Sequence, residues 1–71
     1  MEEKVLEILK EVLEDENVTV ETSQLNNSSW DSLRHLNLIV ELESEFDTTF
    51  EPEEIADMIS VQKILEVLRK K

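Results

Sequence analysis

Three side chains in one short stretch, Asp31, Ser32 and His35, could do chemistry. An acid, a hydroxyl and an imidazole are the letters of a nucleophilic triad. Their spacing argues against one. On a helix all three fall within a single turn, and no glycine-built elbow or oxyanion hole serves them. The chain has one histidine, no cysteine and 71 residues, too few for a substrate pocket of ordinary size. A hydrolase is the remote reading, and no catalytic residue is assigned. His35 reads better as a buried ring with its nitrogens hydrogen-bonded. Ser32 can do something simpler. In the first turn of a helix its hydroxyl stands where unpaired N–H groups and the helix dipole favour a phosphate. A serine there is also an ordinary cap. Glu51, Glu53, Glu54 and Asp57 could hold a cation loosely, but such a cluster reads first as a solvated helix start. The glycine that an EF-hand turn requires is missing, so no metal site is expected.

The elements that position these residues follow from periodicity and capping. Val5, Ile8, Leu9, Val12 and Leu13 repeat at helical spacing and predict a helix from about Glu2 to Glu14. Residues 15–30 carry no helical stripe. Val18-Thr19-Val20 is too short to imply a sheet, and Asn26-Asn27-Ser28-Ser29 is turn chemistry. So long a loop in so small a chain needs pins, and Val18, Val20, Leu25 and Trp30 are the candidates. A second helix spans 32–46, with Asp31 as N-cap. Pro52 opens a short third helix to about Met58, and Ser60 caps a fourth from Val61 to about Arg69. The expected fold is all-α: a small four-helix bundle of three longer helices and a short third. A long loop joins helices 1 and 2, and residues 1–71 form a single domain.

The second helix is unusual in its apolar arc. At 100° per residue, Leu38, Ile39, Leu42 and Phe46 gather between about 140° and 240°, with His35 among them. Leu33, Leu36 and Val40 gather between about 300° and 0°. Together they exceed what one core-facing stripe needs. The first group is the expected core. Some of the second should stay at the surface beside acidic residues, as a partner site does.

Composition narrows the function classes. The net charge is −11, and from Glu11 to Gln62 there are fourteen acidic residues against one base, Arg34. Such a surface repels nucleic acid and anionic membranes and attracts basic protein patches and divalent cations. No apolar run reaches the ~20 residues of a membrane span. Without cysteine or a leader-like start, a reducing cytoplasm is the expected compartment, and the three glycosylation sequons in 17–29 read as accidental.

At Asp31-Ser32-Leu33, followed by Arg34-His35-Leu36-Asn37-Leu38-Ile39-Val40-Glu41-Leu42-Glu43-Ser44-Glu45-Phe46, the sequence resembles the acyl carrier protein family. Pro52-Glu53-Glu54-Ile55 and Ser60-Val61-Gln62-Lys63-Ile64 follow that family's closing order of short third and fourth helix, so the likeness runs through the chain. Asp-Ser-Leu alone is weak. At the start of the second helix of an acidic four-helix chain it is specific. The resemblance implies that Ser32 carries 4′-phosphopantetheine from coenzyme A as a phosphodiester, and that acyl or aminoacyl groups ride on its thiol as thioesters. It implies that Asp31 helps the phosphopantetheinyl transferase hold magnesium, and that Leu33, Leu36, Val40 and Glu41 meet partners. Those would be the transferase and the acyl-loading and acyl-transfer enzymes, met by a monomeric carrier that is not itself an enzyme. Three positions depart from the family. Trp30 stands where a small or aliphatic residue is frequent, Arg34 where many members have an acid or glycine, and Asn37 where glutamate is frequent. They imply partners that read shape more than charge, in a specialised biosynthetic pathway. Trp-Asp-Ser-Leu with His-Leu-Asn is similar to stand-alone carriers of secondary-metabolite or polysaccharide-related pathways. The main rival is an unmodified acidic helical adaptor that uses the same exposed strip.

One consequence follows from charge alone. Raising salt from low to moderate, or adding magnesium, should raise the melting temperature by screening the acidic middle of the chain. A melting temperature that stays flat across that range would refute it.

Overall fold

The computed structural model describes residues 1–71 as four helices: α1 Glu2–Leu13, α2 Ser32–Phe46, α3 Pro52–Asp57 and α4 Val61–Arg69. The apolar stripe of α1 buries Val5, Ile8, Leu9 and Leu13. The helix stops one residue short of Glu14, which turns left-handed at φ 54°, while the Asp15 N–H closes on the Lys10 carbonyl at 3.1 Å. α2 ends the same way, with Asp47 at φ 49° and the Thr48 N–H on the Glu43 carbonyl at 3.1 Å. Glycine adopts this conformation without strain, and the chain has none. Each of the two ends therefore stores roughly 1 kcal/mol.

The helix starts match their expected caps. Asp31 Oδ1 accepts the Arg34 N–H at 2.9 Å, and Ser60 Oγ accepts the Lys63 N–H at 3.1 Å. Pro52 opens α3, and the Glu51 N–H donates to Glu54 Oε1 at 2.9 Å. The same carboxyl accepts Lys71 Nζ at 2.8 Å, and Lys71 lies 5.4 Å from the centre of the Phe50 ring. The Lys71 hydrogen bond holds the Glu54 carboxyl below the usual carboxylate range.

α1 packs against both α2 and α4, and α3 packs against α4. Leu38, Ile39 and Leu42 of α2 join the core, and Phe46 is half-buried against it. Met58 closes the floor beneath α3 without accessible surface, and Phe50, whose place the periodicity left open, is buried as well.

The long loop is tied to the α3–α4 connection through backbone hydrogen bonds. The Gln24 N–H donates to the Ile59 carbonyl at 2.9 Å and the Val61 N–H to the Thr22 carbonyl at 3.0 Å, around an antiparallel bridge between Ser23 and Ser60. Gln62 Nε2 adds a bond to the Val20 carbonyl at 3.2 Å. The α3–α4 connection thus satisfies backbone groups that a loop would otherwise leave to water. Of the expected pins, Val18 and Trp30 are buried and Val20 is half-buried. Leu25 is not a pin: it is 92% exposed. The turn closed by the Asn26 N–H on the Ser23 carbonyl at 3.2 Å carries it outward. Thr22 takes the buried place instead, its Oγ1 accepting the Thr19 N–H at 2.9 Å.

Arg34 proves to be a tie between helices. Its Nη1 donates to the Leu13 carbonyl at 2.9 Å and reaches the Val12 carbonyl at 3.5 Å, with Nη2 4.0 Å from the Glu14 carboxylate. The last carbonyls of α1 have no partner within the helix, and a cation there also meets the negative end of the dipole. Arg34→Gln should therefore lower stability by about 1 kcal/mol, less than a buried charged bond is worth because the side chain is partly solvated. In a domain of this size that is a fall of about 4–8 °C in melting temperature. Urea unfolding of the two proteins would measure it, and an unchanged midpoint would contradict the tie.

Candidate functional site

Ser32 is the first residue of α2 and its side chain is exposed. The residue before it does the capping. Asp31 Oδ1 takes the Arg34 N–H, and the Asp31 carbonyl takes the His35 N–H at 2.9 Å. The N–H groups of Ser32 and Leu33 make no bond within the chain. Two donors thus point out of the helix beside the Ser32 hydroxyl, at the positive end of a helix of 15 residues. The second carboxylate oxygen of Asp31 also has no partner in the chain.

Asp31, Ser32 and His35 do not form a triad. Trp30 Nε1 lies 3.0 Å from His35 Nδ1, and His35 Nε2 lies 2.8 Å from the Ile55 carbonyl. An indole N–H only donates and a carbonyl only accepts. Nδ1 therefore carries a lone pair and Nε2 carries the proton. Both nitrogens are committed, and neither is free to take a proton from Ser32. The expectation of a buried, hydrogen-bonded histidine holds, and its partners come from two other elements. Trp30 ends the long loop and Ile55 belongs to α3. The two rings sit 6.0 Å apart, tilted by 33°.

Beside Ser32 lies an open groove of about 500 Å³. Ser32, His35 and Leu36 form its α2 side, Pro52, Ile55 and Ala56 its α3 side, and Gln24 and Ile59, bonded to each other through their backbones, complete it. No charged side chain lines it. Of the residues singled out in the sequence, the groove gathers Ser32, His35 and Leu36. Leu33 and Asp31 stand next to it in sequence and line neither groove of the molecule. Gln24, Pro52, Ala56 and Ile59 were not foreseen. No local pattern marks them, because they meet Ser32 only through the crossing of the loop and α3.

The second apolar group of α2 stays outside the core. Leu33 is 71% exposed, Leu36 59% and Val40 63%. Val40 and Glu41 also line a groove of about 330 Å³ between α1 and α2, with Ile8, Glu11, Val12 and Asn37. The strip is thus apolar at its centre and carboxylate-edged at Glu11 and Glu41. No helix of the molecule is long and apolar enough to cross a membrane.

The family model described as "Phosphopantetheine attachment site" matches residues 3–68. Among solved structures, a chain described as an acyl carrier protein from Mycobacterium tuberculosis superposes with a TM-score of 0.85. It is 24% identical, and the match covers 97% of this chain and 95% of that one. That likeness establishes the fold as an acyl carrier fold.

The hydrogen-bond chain through His35 can be checked directly. Long-range proton–nitrogen NMR should show His35 protonated at Nε2 and bare at Nδ1. Trp30→Phe removes the only donor to a buried acceptor and should cost about 1–3 kcal/mol in denaturant unfolding. Protonation at Nδ1, or no loss of stability in the variant, would refute the assignment.

Proposed function

The chain belongs to the phosphopantetheine attachment-site family, and from that premise we propose that Ser32 is the residue that bears the 4′-phosphopantetheine group. The domain is the attachment site of that covalent group, and the choice of residue rests on the setting of Ser32. Its hydroxyl is exposed, two unpaired N–H groups flank it at the start of α2, and an uncharged groove begins beside it. This setting is the observation that carries the proposal. A phosphodiester at Ser32 Oγ would stand at the positive end of α2, where its charge is stabilised. No acid lines the groove that the arm would enter.

When attached, the group supplies a thiol at the end of a flexible arm, able to hold acyl or aminoacyl cargo as a thioester. The chain's own residues have the remaining tasks. Asp31 caps α2 with one oxygen and keeps the other free for the magnesium that the transferase brings with coenzyme A. Leu33, Leu36 and Val40 offer an apolar strip, and Glu41 a charged edge, to enzymes that load or unload the cargo. Arg34 turns its charge toward the end of α1, so it subtracts less from this face than its place in the sequence implies. Carboxylates then remain the only charged groups along the groove between α1 and α2. A partner with an apolar contact and basic neighbours fits it. We place the 71 residues as one monomeric carrier unit, acting in the cytoplasm without catalysis of its own, in a specialised biosynthetic pathway.

Incubation with a promiscuous phosphopantetheinyl transferase, coenzyme A and magnesium should add the mass of one phosphopantetheinyl group, and Ser32→Ala should abolish the gain. No gain, or a gain that persists in Ser32→Ala, would sink the proposal. Partner binding indifferent to Ser32→Ala would favour an unmodified adaptor instead. Asp31→Asn separates the two roles of that residue. Asparagine caps as well as aspartate, so the melting temperature should hold while the rate of modification falls. A rate equal to that of the native chain would remove Asp31 from the modifying reaction.

A further inference from the structure

The groove beside Ser32 ends on a bonded side chain. His35 is buried and forms part of the groove wall. Trp30 donates to it at 3.0 Å, is also buried, and takes no part in the wall. Seen from the groove, Trp30 therefore lies behind His35. On the far side the His35 Nε2–H reaches the Ile55 carbonyl at 2.8 Å and spans the gap between α2 and α3. Beyond this bar Leu38, Leu42, Met58 and Ile64 have no accessible surface. The molecule has two concavities, and both are open to solvent. No enclosed apolar chamber waits inside the bundle.

We infer that His35, held between the Trp30 indole N–H and the Ile55 carbonyl, forms the floor of the groove, and that the cargo of this carrier is a short or polar acyl group. The inference rests on Ser32 as the attachment site. A long alkyl chain gains by leaving water. To reach the core here it must break both hydrogen bonds of one imidazole and leave the buried indole N–H without a partner. It must also open a packed interior that has no void to receive it. The groove itself offers little more. Its volume is that of a site for one drug-sized molecule, and the arm alone is of that size. Gln24 lines the groove as a half-buried residue, and its side-chain amide makes no bond within the chain. It offers a donor and an acceptor to a hydroxyl, an amine or an amide, and no basic side chain is present to hold a carboxylate. A longer chain stays outside and is covered by the partner enzyme.

The test loads Ser32 with acetyl-, hexanoyl- and decanoyl-phosphopantetheine from the matching acyl-coenzyme A. Intact mass comes first, and absence of the gain rejects the attachment reading, not the floor. On the loaded proteins hydroxylamine should cleave the decanoyl thioester as fast as it cleaves decanoyl-coenzyme A. The melting temperature should not climb from acetyl to decanoyl. In His35→Ala the floor is missing, so the decanoyl form should melt higher than the acetyl form and its thioester should be cleaved several-fold more slowly. A native decanoyl form that is protected several-fold, or melts more than ~5 °C above the acetyl form, overturns the inference. If His35→Ala does not fold, the native series decides. If Ser32 takes no arm, decanol is titrated into the unmodified chain. An unmoved Trp30 indole N–H resonance supports a closed floor, and a saturable shift with a raised melting temperature overturns it.

Discussion

The indole N–H of Trp30 can only donate, and in a buried position it must find an acceptor. It finds His35, and that one bond sets how three parts of the chain meet. By taking up Nδ1 it leaves the ring proton on Nε2, which then reaches the carbonyl of Ile55. The end of the loop, the first turn of α2 and α3 are joined through a single imidazole. Ser32 sits one turn from that ring, so the place of its hydroxyl relative to α3 is set by a bond it does not make. The groove beside Ser32 exists because α3 is held at this distance by the ring.

Charge is organised around the same helix. α2 begins with an aspartate cap and has no acid in its first turn, where the exposed N–H groups of Ser32 and Leu33 carry the positive end of the dipole. The one base in the middle of the chain is turned back onto the last carbonyls of α1. What remains outward on α2 is an apolar strip with carboxylates beside it. In a chain with net charge −11, an internal use for Arg34 leaves carboxylates as the charged neighbours of that strip. The earlier expectation that Arg34 weakens the role of charge in partner recognition is therefore weakened itself. Asn37, in the α1–α2 groove between Val40 and Glu11, remains a genuine loss of charge from that face.

Much of the fold was legible beforehand because it is local. All four helices, the Asp31 and Ser60 caps, Pro52 at the start of α3 and the split of α2 into buried and exposed apolar groups follow from spacings of four residues or fewer. The helix ends were less legible. Glu14 and Asp47 adopt a left-handed conformation that glycine would have announced; aspartate visits it more readily than most residues, but nothing in the sequence marks Glu14 for it. Leu25 misled for a related reason. An apolar residue in a polar loop reads as a pin, yet a tight turn between Ser23 and Asn26 faces it to water while Thr22, an unmarked threonine, is buried.

The sequence by itself determined the helices, the marked serine and the surplus apolar arc, since periodicity and capping are decided within one or two turns. Only the tertiary structure decided what Trp30-Asp31-Ser32-Leu33 faces. The bond from His35 to Ile55 spans 20 positions and that from Arg34 to Leu13 spans 21. Such bonds depend on which way a ring or a guanidinium turns once the helices have packed. Side-chain hydrogen bonds of that span leave no period in the sequence. Only the packed arrangement reveals the groove beside Ser32 and the histidine that closes it.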